Sequence, residues 1–490
     1  MRKESLMEKN SIRVNYIYNL SFQIVAVFLP FITTPYISRV LGAGNIGIYS
    51  YTDSLTGFFL LFASLGVLSY GSREIARVRE DKTERSILFW DLIIFKFIAV
   101  LCSYIAFFIF FNIEGSKYTS IYMILSLNFL TSFLDLSWFY RGMEMFKQLS
   151  LRNTIVKLLG AVLMFVLVKN ENDLPLYIIC IVIPGLIGNV LLWGKALKYV
   201  DRIPFRKISI ARHIKPVLVF FIPAISVQIY HTVDKLMLQW ILHDNFENGY
   251  YDQAYKIITI LLTIVTAFNS VMYSRLSNLY KREDFKAIDT YLGKSISVIE
   301  MISFPMTVGL FLIAPRFVPI FFGKSYTDVI ILLRLFSPLI VITGLSNMIA
   351  NQCLIPAGKQ GKSNIAIVSG AVVNVILNMI LIPGFASIGA CIATIISETV
   401  ILVLMCVFQK GIVKKLLASV FNYLIGALLM GVIGLGCDSF VSNNLGIKHN
   451  IIIMMIYMVL GIVLYFGFLV IRKDKTVVNL MSSLRKKKMN

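Results

Sequence analysis

The sequence predicts an all-α, polytopic membrane protein with about 14 transmembrane helices, counted as apolar runs long enough to cross a bilayer. Three observations lead there: a strongly apolar composition, apolar runs of similar length, and a one-sided distribution of positive charge. Mean hydropathy is +0.78, with 57% hydrophobic and 15% charged residues. A water-soluble domain carries about 25% charged residues, so the solvent implied here is lipid. The runs are about 18 to 25 residues long, which as helix spans roughly 30 Å of hydrocarbon. Helix is the default because backbone groups in lipid must be satisfied within their own segment.

Lys and Arg outnumber Asp and Glu by 47 to 26, a net charge of +21. In a soluble protein that excess would suggest nucleic acid, but its placement argues for topology. One set of alternate connections holds only Arg39, Lys117, Lys169, Arg316, Lys324 and Lys448, and Lys96, Lys157, Lys235, Lys256 and Arg334 fall within spans. The remaining 36 lie in the other connections and at the termini. Positive charge marks the cytoplasmic side, so both termini are expected in the cytoplasm and the number of spans is expected to be even. The tail Arg485, Lys486, Lys487 and Lys488 reads as topology and contact with anionic membrane lipid, with no nucleic-acid partner. Met1 to Arg13 precede an apolar stretch too long for a signal-peptide core and without a small-residue cleavage site, so the first span is expected to be retained. Six cysteines lie in or beside spans without paired spacing, and the four histidines lack metal-ligand spacing. No disulfide framework, metal site or cofactor is expected.

In chain order, the first six spans fall near residues 14–37, 45–68, 86–110, 119–140, 152–169 and 174–196, making an amino-terminal six-helix half over 1–195. A basic cytoplasmic linker, 196–214, follows with Arg202, Arg206, Lys207 and Arg212. The second half, 215–410, has spans near 215–241, 250–274, 293–315, 328–352, 364–384 and 386–407. Two further spans, near 418–437 and 450–471, and a basic tail complete 411–490. Faint internal similarity relates the halves: "GIYSYTDS" from Gly47 opens the second span and "GYYDQAYK" from Gly249 the eighth, while "KQLSLRNTIVKLLG" and "KQGKSNIAIVSG" enter the fifth and eleventh. Both halves start on the same side, so the repeat is parallel and the expected substrate path runs between them.

A charge at a lipid-facing helix centre costs about 2.5 to 3.5 kcal/mol, so charges within spans are expected to face protein or water. At 100° per residue, Gln228, His231, Thr232, Asp234, Lys235 and Gln239 share half of the seventh span, opposite Ile229, Val233, Leu236, Met237 and Trp240. On a cavity wall, Lys235 would meet an anionic substrate and Asp234 or His231 would couple to an ion. The alternative is a polar seam between helices. Asn15, Asn19 and Gln23 recur every four residues in the first span, continued by Pro30 and Thr33, and allow the same two readings. Asp53, Lys256 and Arg334 are further candidates, although Asp252 stands one turn before Lys256 and can neutralise it. Asp91, Lys96, Asp135, Lys157, Glu300 and Glu398 also fall within spans, several near ends where snorkelling suffices. Signals of an enzyme fail: Gly361-Lys362-Ser363 imitates the end of a phosphate-binding loop, but Pro356 occupies the position of its first glycine. With no nucleotide-hydrolysing domain, an ion gradient, membrane potential or substrate gradient must drive any transport.

The segment "YNLSFQIVAVFLPFITTPYISRVLGAGNIGIYSYTDS", Tyr18 to Ser54, resembles the opening of polysaccharide transporter flippases, the Wzx-like branch of the multidrug, oligosaccharidyl-lipid and polysaccharide exporter superfamily. "LGVLSYGSREIAR" from Leu65, "DLSWFYRGMEMFK" from Asp135, "DKLML" from Asp234 and "SIGACIATIISE" from Ser387 stand in the order of that branch and extend the resemblance over most of the chain. The resemblance implies two six-helix bundles around a central cavity with two extra carboxyl-terminal helices. It also implies outward movement of an undecaprenyl-diphosphate-linked oligosaccharide across the inner (cytoplasmic) membrane, in company with a polysaccharide polymerase and chain-length proteins. A diphosphate wants Lys or Arg, and sugars want amides, hydroxyls and aromatic faces. Asn19, Gln23, Lys235, Lys256 and Arg334 are therefore the candidates for substrate, and Asp53, His231 and Asp234 for an ion. The motif positions Arg39, Gly42, Gly47, Tyr49, Gly71, Arg73, Trp138, Gly142 and Glu144 are expected to be partly structural, since glycines at span ends permit close turns. Rival readings are a multidrug or cation antiporter, which would want an acidic cavity, a lipid II flippase, and a membrane polysaccharide polymerase, which would want a larger external segment than these short connections provide.

Overall fold

The computed structural model describes residues 2–114, 117–204, 206, 208–439, 447–474, 476–479 and 482, leaving aside the side chains of 2–21, 114, 219–220, 222–231, 270–271, 438–439 and 447–448. Among the described residues, eleven helices are long and apolar enough to cross a membrane. Two exceed one crossing. Helix α1 (Arg2–Ser64) runs 63 residues and leaves helical geometry at Gly42, with φ 73° and ψ 169°; at 1.5 Å per residue its length is roughly 95 Å, three times the hydrocarbon layer. Glycine is the residue that takes that backbone angle without a Cβ clash. Helix α14, described below, repeats the arrangement. The chain forms two compact units, Met1–Leu236 and Met237–Asn490.

In the first unit, α1 is followed by α2 (Val67–Arg77) and α3 (Lys82–Glu114). The fourth expected span is three pieces, α4 (Thr119–Leu125), α5 (Leu127–Leu134) and α6 (Ser137–Gly142). The second break is made by Asp135, which is extended and accepts Ser137 N at 3.1 Å on its own carboxylate. The carbonyl freed there accepts Lys96 Nζ at 2.7 Å, which accounts for a lysine that is 4% exposed within an apolar helix. Helices α7 (Phe146–Leu167) and α8 (Leu174–Ala196) complete this part.

The basic segment after α8 is strapped across the start of α3. Arg85 donates to Tyr199 O at 2.8 and 3.0 Å, Ser86 Oγ accepts Asp201 N at 2.8 Å, Trp90 Nε1 donates to Asp201 O at 2.9 Å, and Lys82 pairs with Asp201 at 2.6 Å. One turn further along α3, fully buried Asp91 accepts Ser209 N at 2.9 Å, Arg212 Nη2 at 2.6 Å and His213 Nε2 at 3.0 Å. Since Asp91 accepts at Nε2, the other ring nitrogen of a neutral His213 is the acceptor for the Tyr70 hydroxyl at 2.7 Å. Helix α9 (Ala211–Leu242) thus starts from an anchored end, and it stays with the first unit as far as Leu236, which joins the buried cluster of Tyr51, Leu55 and Phe107.

The second unit opens with α10 (Asn245–Lys281) and α11 (Phe285–Phe321), capped by Asp244 accepting Phe246 N and Asp284 accepting Ala287 N. These caps satisfy amides that have no partner inside the helix. The tenth expected span is α12 (Val329–Phe336), α13 (Leu339–Met348) and a widened turn at Ile349–Leu354. Helix α14 (Gln360–Phe408) is 49 residues long and breaks at Ala386, φ 49° and ψ −132°. Helices α15 (Ile412–Ser439) and α16 (Ile447–Ile471) pack on α11 through Met301, Tyr423, Ala427, Met430, Tyr465 and Leu469.

Asp91→Asn removes the charge that holds Arg212 and His213 and is expected to cost about 3 kcal/mol, read as a lower thermal midpoint of the purified protein; an unchanged midpoint would contradict the anchor. Burial pushes the His213 pKa below its ordinary value. The anchor's histidine contribution should therefore be complete above about pH 6.5 and fall away as pH drops below it.

Candidate functional site

Two of the motifs meet each other. A Cβ on Gly71 of α2 would lie 2.8 Å from the Trp138 ring of α6, and one on Gly142 would lie 2.6 Å from Ile75 and 2.8 Å from Ser72 O. Real Cβ contacts are not that short, so "LGVLSYGSREIAR" and "DLSWFYRGMEMFK" are the two faces of one close-packed interface. Around it, Tyr140 donates to Leu192 O at 2.7 Å, Trp193 to Leu134 O at 2.9 Å, Asn189 to Thr131 O at 2.8 Å, and Arg79 pairs with Glu144 at 2.8 Å. The bonds to Leu134 O and Thr131 O satisfy carbonyls at the end of α5, where the helical path breaks. The motif accordingly positions helices.

Of the residues singled out for substrate or ion in the first unit, Gln23 is exposed, and the side chains of Asn19 and His231 lie outside the described residues. Asp53 and Lys235 are half-buried and Asp234 is buried. Leu236 shares a buried cluster with Tyr51 and Leu55, which flank Asp53 on α1, so the end of α9 sits against that stretch. Asp53, Asp234 and Lys235 all have polar or electrostatic partners.

In the second unit the structure assembles a polar seam between α10 and α14 that sequence reading missed. The Tyr251 hydroxyl is 3.0 Å from Thr394 Oγ1, Asn378 Nδ2 donates to Asn374 Oδ1 at 3.2 Å, and Asn248, Gln253, Ser397 and Glu398 are buried. Gln352 donates to Asn269 at 2.8 Å at the widened turn after α13. Tyr255 stacks on Tyr251 with ring centroids 6.0 Å apart and meets Phe336 edge-on. The legible signal was the spacing of Asn374 and Asn378, one helical turn apart. Lys256 follows Tyr255 on α10, half-buried and with no side-chain hydrogen bond or ion pair among the described residues. Arg334 is committed differently: its Nε donates to Phe311 O at 3.1 Å, and its guanidinium lies 4.9 Å from the Phe311 ring centre. Among the described residues no three His, Cys, Asp or Glu side chains gather as a metal site. The seam offers amides, hydroxyls and aromatic faces, groups of the kind that hydrogen-bond and stack on sugars.

A family model for polysaccharide biosynthesis proteins matches residues 12–280, more than half of the chain and all of the α2–α6 interface. The chain belongs to the polysaccharide biosynthesis protein family. A relative from Escherichia coli (strain K12) named as an O-antigen transporter is 22% identical over 407 residues, covering 82% of this chain and 98% of its own. The low-salt glycan biosynthesis flippase Agl15 of Haloferax volcanii is 27% identical over 158 residues, 31% of this chain and 32% of its own. The solved structure of the lipid II flippase MurJ in an inward closed conformation superposes with a TM-score of 0.73 at 16% identity, covering 94% of this chain and 99% of that one, which establishes the shared fold. This polysaccharide biosynthesis protein is thus a multi-pass membrane protein of the Wzx-like branch.

Gly142→Ala should overpack the motif interface at a cost of about 1 to 3 kcal/mol, seen as reduced folded yield from membranes. Normal yield and an unshifted melting curve would refute the packing role.

Proposed function

We propose that this protein moves lipid-linked oligosaccharides from the cytoplasmic to the outer leaflet for surface polysaccharide synthesis. The observation that carries the reading is the family match together with the near full-length alignment to a relative named as an O-antigen transporter. The chemistry of the second unit supports it, because α10 carries Lys256, half-buried and with no side-chain hydrogen bond or ion pair among the described residues, and the α10–α14 seam carries buried amides, hydroxyls and aromatic rings. The substrate is read as an undecaprenyl-diphosphate-linked repeat unit, with Lys256 of the second unit and, separately, Lys235 of the first each a candidate for the diphosphate, and amide and aromatic groups for the sugars. Translocation is read as alternating access driven by an ion gradient or the membrane potential, without catalysis of a covalent step.

The protein is read as an inner-membrane protein with both termini in the cytoplasm, on the asymmetry of Lys and Arg. Fourteen crossings follow if α1 with α2, and α14, each cross twice at their breaks and α9 crosses once. A polysaccharide polymerase and chain-length proteins are the partners the pathway would require.

Lys256→Gln and Lys235→Gln should each impair export at matched membrane abundance. A charged hydrogen bond to a phosphate contributes about 1.5 to 3 kcal/mol, so apparent affinity should drop about tenfold or more. The measurement is surface polysaccharide and retained lipid-linked precursor in cells carrying each variant. Wild-type levels of both in both variants would overturn the assignment of these lysines.

A further inference from the structure

Among the described residues, Glu300 is a buried carboxyl group that no cation meets. It lies within α11, a helix long and apolar enough to span the membrane, and it is fully buried. Its Oε2 is 2.6 Å from Ser419 Oγ of α15, while its Oε1 is buried without a hydrogen-bond partner. Among the described residues no Lys, Arg or His bonds to it from α10, α12, α13, α15 or α16, the helices packed on α11. The nearest cation along α15, Lys415, donates instead to the carbonyl of Asp289 at 2.9 Å and to its carboxylate.

An unpaired carboxylate in such a place costs several kcal/mol, which a neutral acid avoids. The bonding also favours the acid. Ser419 Oγ lies 3.4 Å from Lys415 O, so a proton on Oε2 completes a chain in which Glu300 donates to Ser419 and Ser419 donates to the Lys415 carbonyl. An ionised Glu300 would compete with that carbonyl for the single hydroxyl proton.

The surroundings also provide a way in. The buried Tyr465 hydroxyl of α16 has no hydrogen-bond partner among the described residues. The Tyr423 hydroxyl of α15 stands one turn beyond Ser419, and its ring shares a buried cluster with Met301, the residue after Glu300 on α11. The same hydroxyl lies 3.3 Å from Asp474 Oδ1 and 3.2 Å from Thr476 Oγ1, in the partly exposed segment beyond α16. Polar groups therefore run from that segment inward to the buried carboxyl, through a cluster that is otherwise apolar.

We propose that Glu300 is a proton-binding site at the seam where α15 and α16 pack on α11, loaded and emptied through Tyr423 and Asp474. The proton is the ligand, and its release leaves a carboxylate that the closed seam cannot hold, so exchange is linked to loosening of α15 and α16 from α11. The site is independent of the substrate reading, because the proton can be observed whether or not a lipid is moved.

The test is infrared spectroscopy of the purified full-length protein in lipid. At neutral pH the carbonyl stretch of a protonated carboxylic acid should be present and should vanish in E300Q, which keeps shape and neutrality and so should fold. On transfer to heavy water the band should shift at least about tenfold more slowly in Y423F than in the wild type, as expected when one proton carrier is removed. D474N, at the partly exposed end, gives the same readout should Y423F fail to fold. Persistence of every protonated-acid band in E300Q would overturn the site, and exchange at the wild-type rate in the folded relay variants would overturn the path.

Discussion

A charge among membrane helices has to be answered inside the protein, because lipid offers neither water nor counterion. The structure follows that constraint from one buried charge to the next. Lys96 answers the carbonyl freed where α5 ends, and Asp91 answers Arg212, His213 and the amide of Ser209. Arg316, 6% exposed, donates to Asn450 of α16 at 2.8 Å and faces the Tyr457 ring. Each of these places an element: the break in the fourth span, the start of α9, the seat of α16. The proposals for substrate and proton rest on two groups left without such a pairing among the described residues, Lys256 and Glu300.

Close packing does for the helices what pairing does for the charges. Lipid tails are as apolar as leucine, so membrane helices associate through contact area and small residues more than through exclusion of water. The Gly71–Trp138 and Gly142–Ile75 contacts are of this kind, as is Gly370, where a Cβ would lie 2.3 Å from Ile401. The family's motifs are therefore read here as joints. A joint leaves the polar residues elsewhere free to differ with the sugar that is carried.

Much of the architecture was legible because, in lipid, the hydropathy and length of a segment decide whether it spans as a helix. Apolar runs located the helices, and the Arg202–Arg212 segment stood out as a separate stretch. The breaks were less legible. Ala386 adopts a positive φ and Asp135 an extended conformation that no local pattern announces, and α1 continues through what reads as a turn. Among the charges within spans, period and chemistry single out Lys256 and Lys235 as candidates. They also single out Arg334, whose bond to Phe311 O depends on tertiary placement, and they pass over Asn374, Asn378 and Tyr251, because neutral amides and phenols look unexceptional in a helix. Glu300 was noticed as a charge within a span, but only the packing of α15 and α16 revealed that it has no cation.

Whether this chain itself carries a lipid-linked oligosaccharide across a bilayer can be decided by reconstitution. Purified protein is placed in vesicles holding a fluorescent prenyl-diphosphate oligosaccharide, and a membrane-impermeant quencher reports the fraction in the outer leaflet. Label initially protected in the inner leaflet should become accessible far faster than in protein-free vesicles once an ion gradient or membrane potential is imposed. Transbilayer movement no faster than in protein-free vesicles, with folded protein, intact lipid-linked sugar and either driving force present, would show that the chain does not move this lipid.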